Sequence, residues 1–192
     1  MWEQILPGLR IKIFLTVVLG IGYPLLMTGI CQIAFPYQAN GSLITRNGKV
    51  IGSEILAQGF TKPEYFQPRP SAAGNGYDPT SSGGTNFGPT NQKLIDRMKT
   101  SIDKFHKDNP DYHGPIPADL LTTSESGLDP DLSPASAEAQ IPRVAKARGM
   151  TEDQVRALVA RFTKQPDLGI LGEPRVNVLR LNLALDDAFP RR

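Results

Sequence analysis

The residues best suited to chemistry are the serines of residues 123–134 and the chain's two histidines, His106 and His113. A serine nucleophile needs a base within hydrogen-bond reach. The serines here lack the Gly-x-Ser-x-Gly pattern of a nucleophile elbow. A pairing with either histidine stays open by distance, but no feature of the sequence supports it. The stretch therefore predicts no catalytic residue.

The same stretch carries two carboxylates, Asp129 and Asp131. Calcium loops use carboxylates at this spacing, but they also need a glycine and a distal glutamate that this segment lacks. Short polar side chains also accept hydrogen bonds from nearby backbone N–H groups in tight turns. Ser133 followed by Pro134 is typical of a helix start, with the serine as N-cap and the proline at the first helical position. The stretch therefore predicts a polar turn that leads into a helix.

A second candidate lies in residues 60–89, which are rich in Gly, Pro, Ser and Asn. Residues 82–85 (Ser-Gly-Gly-Thr) suggest a phosphate-binding loop, but no Gly-Lys-Ser/Thr follows, so this is not a Walker A loop. The composition alone fits a flexible linker. Aromatic residues recur through the segment, however, and these are depleted in disordered chains. We therefore predict a long ordered loop that its aromatic side chains hold to a surface.

These segments follow a predicted membrane anchor, because residues 13–35 contain no charged side chain. As a helix this run is about 34 Å long, enough to cross a hydrocarbon core of about 30 Å. A cleaved signal peptide has a shorter apolar region followed by small residues. This run instead ends in the bulky Ile33, Phe35 and Tyr37. The sequence predicts a retained transmembrane helix in contact with membrane lipid.

Charge on the two sides of the span predicts its orientation. Arg10 and Lys12 immediately precede the span, whereas the next basic residues, Arg46 and Lys49, lie further from its other end. Basic residues favour the cytoplasmic side, so the domain after the span is expected outside the cytoplasm. The predicted parts are a short cytoplasmic tail (residues 1–12), a single-pass helix in the bacterial inner membrane (residues 13–35) and a periplasmic α+β domain (residues 36–192).

Composition limits what the outer domain does. A formal net charge of +2 over 192 residues indicates neither nucleic acid nor a polyanionic substrate. The single cysteine, Cys31, lies inside the span, so the outer domain has no thiol and no disulfide. We therefore expect a domain stabilised by packing alone.

Small residues within the span predict contact with another helix. Gly22 and Gly29 are seven residues apart and lie on one helix face, which allows close approach of a neighbour. Pro24 predicts a bend between them. Because one span cannot enclose a solute path, any transport role requires partner subunits.

Local patterns after the span predict a hairpin and several short helices. Asn47-Gly48 between two β-prone runs is a strong hairpin signal, because both turn positions need positive φ. An apolar face of helical period begins near Thr90 or Asn91 and ends before Pro110. Residues 135–148 form a further predicted helix that Pro142 bends or shortens.

The C-terminal part carries two further helix signals. Thr151 and Gln154 form a capping box. Asn177 is a candidate cap for a last helix, preceded by a short strand, although the alternating leucines of residues 179–185 also fit a strand. The predicted architecture is thus one N-terminal transmembrane helix followed by an α+β domain with a hairpin, a long ordered loop and several short helices.

An ordered set of short motifs resembles a known family along nearly the whole chain. The motifs are Arg69-Pro70-Ser71, Tyr77-Asp78-Pro79, Ser82-Gly83-Gly84-Thr85-Asn86, Ser126-Gly127-Leu128-Asp129-Pro130, Ala137, Gln140, Arg143-Val144-Ala145, Arg148, Gly172-Glu173-Pro174, Val176-Asn177-Val178-Leu179 and Leu181-Asn182. Each motif alone is weak, whereas the ordered set is specific. The chain resembles the C subunits of bacterial Kdp potassium-transporting ATPases, although Thr85 stands where that family more often has serine.

The resemblance implies a non-catalytic subunit of an ATP-driven, high-affinity potassium uptake complex. The implied partners are a channel-like potassium-translocating A subunit, the P-type ATPase B subunit and a small single-span F subunit. The family is described as a catalytic chaperone that raises the ATP affinity of the B subunit, so the implied ATP is bound on that subunit. The predicted topology leaves only residues 1–12 in the cytoplasm, which favours complex stabilisation over direct contact with ATP.

We expect residues 60–89 and 126–130 to form the surface that meets the potassium-translocating subunit. The predicted partner-binding residues of the whole chain are Gly22, Gly29, Tyr77, Ser126, Asp129, Gln140, Arg143 and Asn177. No catalytic residue and no metal ligand is predicted. The competing interpretation is a membrane-anchored periplasmic enzyme or binding domain that is independent of a transporter.

Overall fold

The computed structural model describes residues 2–189. The chain divides into two compact units, Met1–Ile51 and Gly52–Arg192. Each unit is described by itself.

The first unit is dominated by one long apolar helix. Helix α1 (Trp2–Leu15) continues through a π-helical stretch (Thr16–Gly22) into α2 (Tyr23–Ala34). Together Glu3–Ala34 form 32 residues that are long and apolar enough to cross a membrane, and none of the apolar window is buried. The predicted long apolar helix is therefore confirmed, and it begins before residue 13, within the residues predicted as a tail.

The change in helix geometry lies beside Pro24. A proline has no N–H, and its ring clashes with the carbonyl four residues earlier, here that of Gly20. The π-helical stretch contains Gly20 and ends at Gly22, two residues before the proline. The helix therefore departs from α-helical geometry where Pro24 cannot donate a hydrogen bond to the carbonyl of Gly20. The predicted bend itself stays a prediction.

A short helix and a hairpin complete this part of the chain. Helix α3 (Pro36–Ala39) precedes strands β1 (Leu43–Arg46) and β2 (Lys49–Ser53), which pair with each other. The turn residues Asn47 and Gly48 have φ of 52° and 74°. Both values are positive, as the predicted turn requires, so the hairpin is confirmed.

The second unit begins with the long loop that the sequence predicted. Residues 54–91 contain no helix or strand. The loop nevertheless packs against the domain, because Phe66 is fully buried and Tyr65 is 8% exposed. The aromatic side chains therefore distinguish it from a linker, as expected.

Helix α4 (Gln92–Asp108) follows the loop, and the Asn91 side chain caps it by accepting a hydrogen bond from the N–H of Lys93 at 2.9 Å. One 3₁₀ turn (Ala118–Leu120) connects it to the polar stretch. The predicted start and end of this helix are confirmed to within about two residues.

Three short helices form the next layer: α5 (Pro134–Glu138), α6 (Ile141–Arg148) and α7 (Glu152–Phe162). The break between α5 and α6 is explained by Pro142, which has no N–H to donate to the carbonyl of Glu138. Gly149 ends α6 with φ of 65°, and the capping box of Thr151 and Gln154 starts α7. The single helix predicted over residues 135–148 is thus two helices, broken before the proline that was expected to bend or shorten it, and the predicted capping box is confirmed.

A small antiparallel sheet lies beside these helices; the sequence predicted a short strand before the last helix, which is present, but not the two strands that pair with it. It has the order β3 (Asp131–Leu132), β5 (Arg175–Asn177) and β4 (Thr163–Lys164). Val176 is the central residue of the sheet, opposite Leu132 on one side and Thr163 on the other, and it is fully buried. Helix α8 (Val178–Ala188) follows directly, so the helical alternative for the C-terminal segment is correct.

The core of the second unit joins the sheet, the helices and the loop. Its buried members include Phe66 from the loop, Phe105 from α4, Leu132 from β3, Val155 from α7 and Leu181 from α8. The architecture is a mixed α+β domain whose longest loop is part of the core.

Candidate functional site

The polar turn at residues 126–130 is built by its own side chains. Ser126 Oγ accepts a hydrogen bond from the N–H of Leu128 at 3.1 Å, and Asp129 Oδ1 accepts one from the N–H of Asp131 at 3.1 Å. Gly127, between them, has φ of 67°. This is the turn that the sequence predicted, and Ser133 caps α5 after it.

The turn is hydrogen-bonded to the glycine-rich part of the long loop. The carbonyl of Ser126 accepts bonds from the N–H of Gly83 at 2.8 Å and from Ser82 Oγ at 2.9 Å. The backbones are so close that a Cβ on Gly84 would lie 2.8 Å from the carbonyl oxygen of Glu125. Glycine therefore serves close backbone packing here, and the two segments form one continuous surface, the loop–turn surface (residues 69–84 and 126–130).

The hydroxyl of Ser71 organises this surface from within. It donates a hydrogen bond to the carbonyl of Gly127 at 2.7 Å. It also accepts bonds from the N–H of Ala73 at 3.1 Å and of Tyr77 at 2.8 Å. One small side chain thus holds both the turn and the loop.

Arg69 connects Tyr77 with Asp129. Its guanidinium lies 3.0 Å from Asp129 Oδ2, and its carbonyl accepts a hydrogen bond from the Tyr77 hydroxyl at 2.9 Å. Among the residues that the structure describes, Arg69 Nε is a buried nitrogen without a hydrogen-bond partner. Three predicted site residues, Tyr77, Ser126 and Asp129, are therefore brought together.

Tyr77 has an unusual backbone and an altered acidity. Its φ of 56° is rare for a large side chain and is imposed by the surrounding turn. Burial raises the pKa of Tyr77 to about 12 because it disfavours the charged phenolate. The hydroxyl is therefore a neutral hydrogen-bond donor at physiological pH.

Gln140 and Arg143, which the sequence predicted to face a partner, lie inside the domain at 2% and 7% exposure. Arg143 donates to the carbonyls of Pro63 at 2.6 Å and Tyr65 at 2.9 Å, and to Asn109 Oδ1 at 2.8 Å. Burial lowers its pKa to about 10. Both residues thus hold the long loop, and contact with a partner through them would be indirect.

Two side-chain amides bind adjacent residues of the loop in the same way. Gln140 accepts a hydrogen bond from the N–H of Gln67 at 2.8 Å and donates one to its carbonyl at 3.0 Å. Asn182 of α8 makes the equivalent pair with Phe66, at 2.9 Å for each bond. Each amide satisfies a backbone donor and acceptor as a neighbouring strand would.

The remaining predicted residues lie elsewhere. Asn177 caps α8 through the N–H of Arg180 at 3.1 Å and donates to the carbonyl of Glu54 at 2.8 Å. Gly22 and Gly29 lie in the long helix of the first unit, and a Cβ on Gly29 would meet nothing within 4 Å. A side chain at position 29 would therefore not clash with any other part of this chain.

Sequence reasoning overlooked the roles of Asn182, Arg148 and Asp119. Arg148 lies 5.1 Å from the Tyr65 ring centroid and pairs with Asp186 at 2.9 Å. Burial alone would raise the pKa of Asp119, but hydrogen bonds from Ser136 and Ser133 outweigh it and the pKa is lowered. Asn182 and Arg148 belong to the motif set that resembles the family, and no other feature of the sequence pointed to their roles.

A pocket of about 350 Å³ adjoins the loop. Phe60, Pro68, Tyr77 and Phe105 supply apolar lining, and the ion pair of Lys104 and Asp108, 2.8 Å apart, contributes charge. Within residues 2–189, no three His, Cys, Asp or Glu side chains form a group that could hold a metal ion. The pocket suits an apolar side chain.

Fold and site together define the class: an α+β domain with one apolar N-terminal helix. Buried polar side chains of α6 and α8 hold one part of its long loop, and hydrogen bonds join another part to a tight turn. A family model described as "KdpC: K+-transporting ATPase, c chain" matches residues 5–187. The chain therefore belongs to the KdpC family.

Relatives in this family match along their full length. The "Potassium-transporting ATPase KdpC subunit" of Koribacter versatilis is 54% identical over 191 residues, which is 99% of this chain and 97% of that protein. The protein of the same name from Rhodospirillum rubrum is 53% identical over 190 residues, with 99% and 98% covered. That from Rhodopseudomonas palustris is 49% identical over 203 residues, with 100% of both covered.

Proposed function

We propose that this chain is the accessory C subunit of an ATP-driven potassium uptake complex. The observation that carries the proposal is the family match over residues 5–187, together with full-length relatives named as potassium-transporting ATPase KdpC subunits. Its partners in the proposal are a potassium-translocating A subunit, an ATP-hydrolysing B subunit and a small F subunit. The subunit itself performs no bond chemistry.

The proposed topology places the N-terminus in the cytoplasm and the α+β domain in the periplasm. Arg10 and Lys12 next to the apolar helix support this orientation. ATP is cytoplasmic, so a periplasmic domain affects the B subunit's ATP affinity only through the assembled complex. Stabilisation of the complex near the potassium entrance is therefore the proposed mode of action.

The loop–turn surface is the proposed contact with the potassium-translocating subunit. Arg69 and Ser71 already make hydrogen bonds to the turn within the chain, and Ser71 also binds the backbone of the loop. A surface that is held in shape before binding loses less conformational entropy on association. The half-buried ring of Tyr77 and the pocket beside it supply apolar contact, while Asp129 shapes the turn.

The test is recovery of the complex in mild detergent through a tag on the potassium-translocating subunit. Asp129→Ala is expected to lower the amount of this chain that is retained and to weaken uptake at low external potassium. Asp111→Ala is a matched control, because Asp111 also makes one ion pair, with Lys146 at 2.9 Å, but lies outside the loop–turn surface. Equal retention of both variants, with both folded, would contradict the proposed surface.

Sidedness is tested separately with reporters fused after residue 192. A reporter that is active only in the periplasm is expected to work, and strong activity from a cytoplasm-only reporter would overturn the topology. Failure of the wild-type chain to co-purify with any transporter subunit would overturn the function itself. ATP crosslinking to this chain that is lost in Asp129→Ala while uptake persists would favour nucleotide binding instead.

A further inference from the structure

The chain leaves the long apolar helix through a segment that carries exposed aromatic and apolar side chains. Phe35 is 57% and Tyr37 43% exposed, and in the hairpin that follows Leu43 is 48% and Val50 52% exposed. All of these residues belong to the first unit of the chain. We call residues 35–50 the juxtamembrane segment.

The exposed apolar residues of the hairpin lie on one of its faces. A two-residue turn at Asn47-Gly48 places Thr45 opposite Val50, and residues two apart in a strand share a face. Leu43, Thr45 and Val50 therefore lie together, and all three are exposed. This face is apolar or β-branched throughout and carries no charged side chain.

Hydrogen bonds fix the start of the hairpin close to the end of the apolar helix. The N–H of Ser42 donates to the carbonyl of Tyr37 at 3.0 Å, and the Tyr37 hydroxyl donates to the carbonyl of Ser42 at 3.2 Å. The Asn40 side-chain amide donates back into the helix, to Gln32 Oε1 at 3.2 Å. Leu43, the first residue of the hairpin, is therefore held beside Tyr37, which follows the end of α2 by three residues.

The length of the helix places this end at a membrane interface. The helical stretch from Lys12 to Ala34 is about 33 Å long, close to a hydrocarbon core of about 30 Å. With Lys12 among the headgroups on one side, Ala34 lies at the border of the core on the other. The headgroup layer beyond that border is about 5–8 Å thick, and aromatic residues such as Phe35 and Tyr37 are enriched there.

The charge of the juxtamembrane segment also complements lipid. Arg46 and Lys49 flank the hairpin turn, and no acidic residue occurs between Glu3 and Glu54. Anionic headgroups attract basic segments that lie next to a span. Exposed apolar residues, aromatic residues and basic charge thus occur together at the membrane end of the chain.

We propose that the juxtamembrane segment lies in the headgroup layer of the bilayer, with Leu43 and Val50 in contact with lipid at the depth of Tyr37. Arg46 and Lys49 then reach the lipid phosphates. This inference rests on the part of the proposed function that places the apolar helix in the membrane, and it holds for either orientation of that helix.

This lipid contact fixes the depth of the helix. The apolar helix Glu3–Ala34 has 32 residues and is about 48 Å long, about 18 Å more than the hydrocarbon core. Its length alone therefore lets it tilt or slide. A hairpin that is fixed to one end and held in the headgroup layer removes this freedom. Gly22 and Gly29 then stay at one depth for a neighbouring helix.

The first experiment measures quenching of a fluorescent label on this chain alone, in nanodiscs of phosphatidylcholine and phosphatidylglycerol. Cys31 is the chain's single cysteine, so Cys31→Ser with Val50→Cys gives one labelling site. We expect quenching by lipids that carry a nitroxide near the headgroup, and shielding from aqueous iodide. Cys31→Ser with Ala160→Cys is the control, because Ala160 is exposed on α7 in the second unit. Iodide should quench that label at least about threefold more strongly.

Two outcomes of this experiment would overturn the inference. A label at residue 50 that iodide quenches as strongly as the control label lies in water. A label at residue 50 that neither iodide nor the nitroxide lipids quench is covered by protein.

The second experiment distinguishes lipid from a partner subunit. Leu43→Thr with Val50→Thr removes the apolar side chains and introduces β-branched residues, which suit strands. In mild detergent, recovery of the complex through the tagged potassium-translocating subunit should stay at the wild-type level, whereas Asp129→Ala lowers it. Loss of recovery with the hairpin variant would assign this face to a partner subunit and overturn the lipid contact.

The same hairpin variant tests the fixed depth when it is labelled at Cys31. The ratio of quenching by lipids with shallow and deep nitroxides should change at least about twofold from the wild-type chain, because the helix is then free to shift. An unchanged ratio would overturn the role of the hairpin in fixing the depth.

The inference and the proposed function fail in different ways, because the quenching is measured without partner subunits. If the wild-type chain does not associate with the transporter, the proposed function is wrong whatever the label reports. If the wild-type chain associates and the label at residue 50 lies in water, only the lipid contact is wrong.

Discussion

Single residues at the loop–turn surface act mainly on the backbone of neighbouring segments. The Ser71 hydroxyl contacts three backbone groups, and Arg69 uses both its side chain and its carbonyl. Such residues shape the surface whether or not they touch a partner. Their contribution is therefore measurable as stability of the chain before any complex forms.

Gly127 tests how closely the turn and the loop must approach. A Cβ on Gly127 would lie 2.7 Å from Ala73 N and Gly83 O. Gly149 has nearly the same φ, 65° against 67°, but a Cβ there would meet nothing within 4 Å. Both changes to alanine carry the left-handed penalty of about 1 kcal/mol. Gly127→Ala is expected to lower the free energy of unfolding by at least about 2 kcal/mol more, since backbone atoms must move.

The measurement is urea unfolding of the full chain in detergent micelles, with the two variants side by side. An equal loss in the free energy of unfolding for Gly127→Ala and Gly149→Ala would show that the backbones of the turn and the loop can move apart at no cost.

Tyr77 gives the domain a pH-dependent stability at alkaline pH. Its pKa is about 12 in the folded chain, against about 10 in an unfolded chain. The folded state therefore binds the phenolic proton more tightly, so the stabilisation is complete below pH 10 and is lost as pH rises towards 12. Tyr77→Phe removes the phenolic hydroxyl. At neutral pH this should lower the free energy of unfolding by roughly 1 kcal/mol, because the hydrogen bond to the Arg69 carbonyl is lost.

The stability difference between wild type and Tyr77→Phe is expected to shrink by roughly 1 kcal/mol from pH 9 to pH 11. The wild-type-minus-variant phenolate absorbance should also titrate near pH 12. A titration midpoint near the ordinary value of a tyrosine would refute the burial argument.

At the scale of elements, the long loop is held by helices that are distant in sequence. Gln140 from the N-terminus of α6 and Asn182 from α8 bind the adjacent loop residues Gln67 and Phe66. Arg143 binds the carbonyls of the preceding loop residues. The loop is thus anchored as an extra strand would be, but by side chains.

Removing the Arg143 guanidinium should loosen this loop selectively. Arg143→Met leaves the carbonyls of Pro63 and Tyr65 buried without their donor, and the expected loss is about 3 kcal/mol in the free energy of unfolding. Arg161→Met, on the exposed side of α7, is the matched control and should change stability by less than about 0.5 kcal/mol. Hydrogen exchange at the amides of residues 64–67 should accelerate only in Arg143→Met. If the exchange rates stay at the wild-type level, the side-chain amides of Gln140 and Asn182 are sufficient to hold the loop.

At the scale of the whole molecule, the chain combines an apolar helix of membrane-spanning length with an α+β domain. The helix carries its apolar side chains on the outside, with Leu25 66% and Ile33 86% exposed. These side chains require lipid or other helices around them. In the proposed function the helix contributes to assembly as well as to anchoring.

Replacing Gly22 and Gly29 tests whether the helix contributes to assembly of the complex. A Cβ on Gly22 would be 3.5 Å from the Val17 carbonyl oxygen, an ordinary contact, and one on Gly29 would meet nothing. Leucine at both positions is therefore compatible with the helix itself. We expect Gly22→Leu with Gly29→Leu to insert normally and to lower recovery of the complex, because bulky residues prevent close helix approach. Gly8→Leu, in the same helix outside residues 13–35 and also free of close neighbours, is the control.

Carbonate extraction measures insertion, and co-purification measures assembly. Full recovery of the complex with both glycines replaced would place the helix contact on another face.

The sequence by itself determined the elements whose causes are local. The charge-free run of residues 13–35, the Asn47-Gly48 turn and the capping box of Thr151 and Gln154 each depend on a few neighbouring residues. Helix caps, positive-φ turns and apolar length act over at most a few turns of chain. The ordered motif set also indicated the family, because each motif is read directly from the sequence.

Only the tertiary structure decided which polar residues are internal. Gln140 and Arg143 read as surface residues of a helix, because helical spacing does not reveal which side another segment will cover. The loop that covers them lies more than seventy residues earlier in the chain. The same holds for the small sheet, since β3 and β4 have two residues each, too few for a periodic signal. Their pairing with β5 is a long-range contact that the compact core imposes.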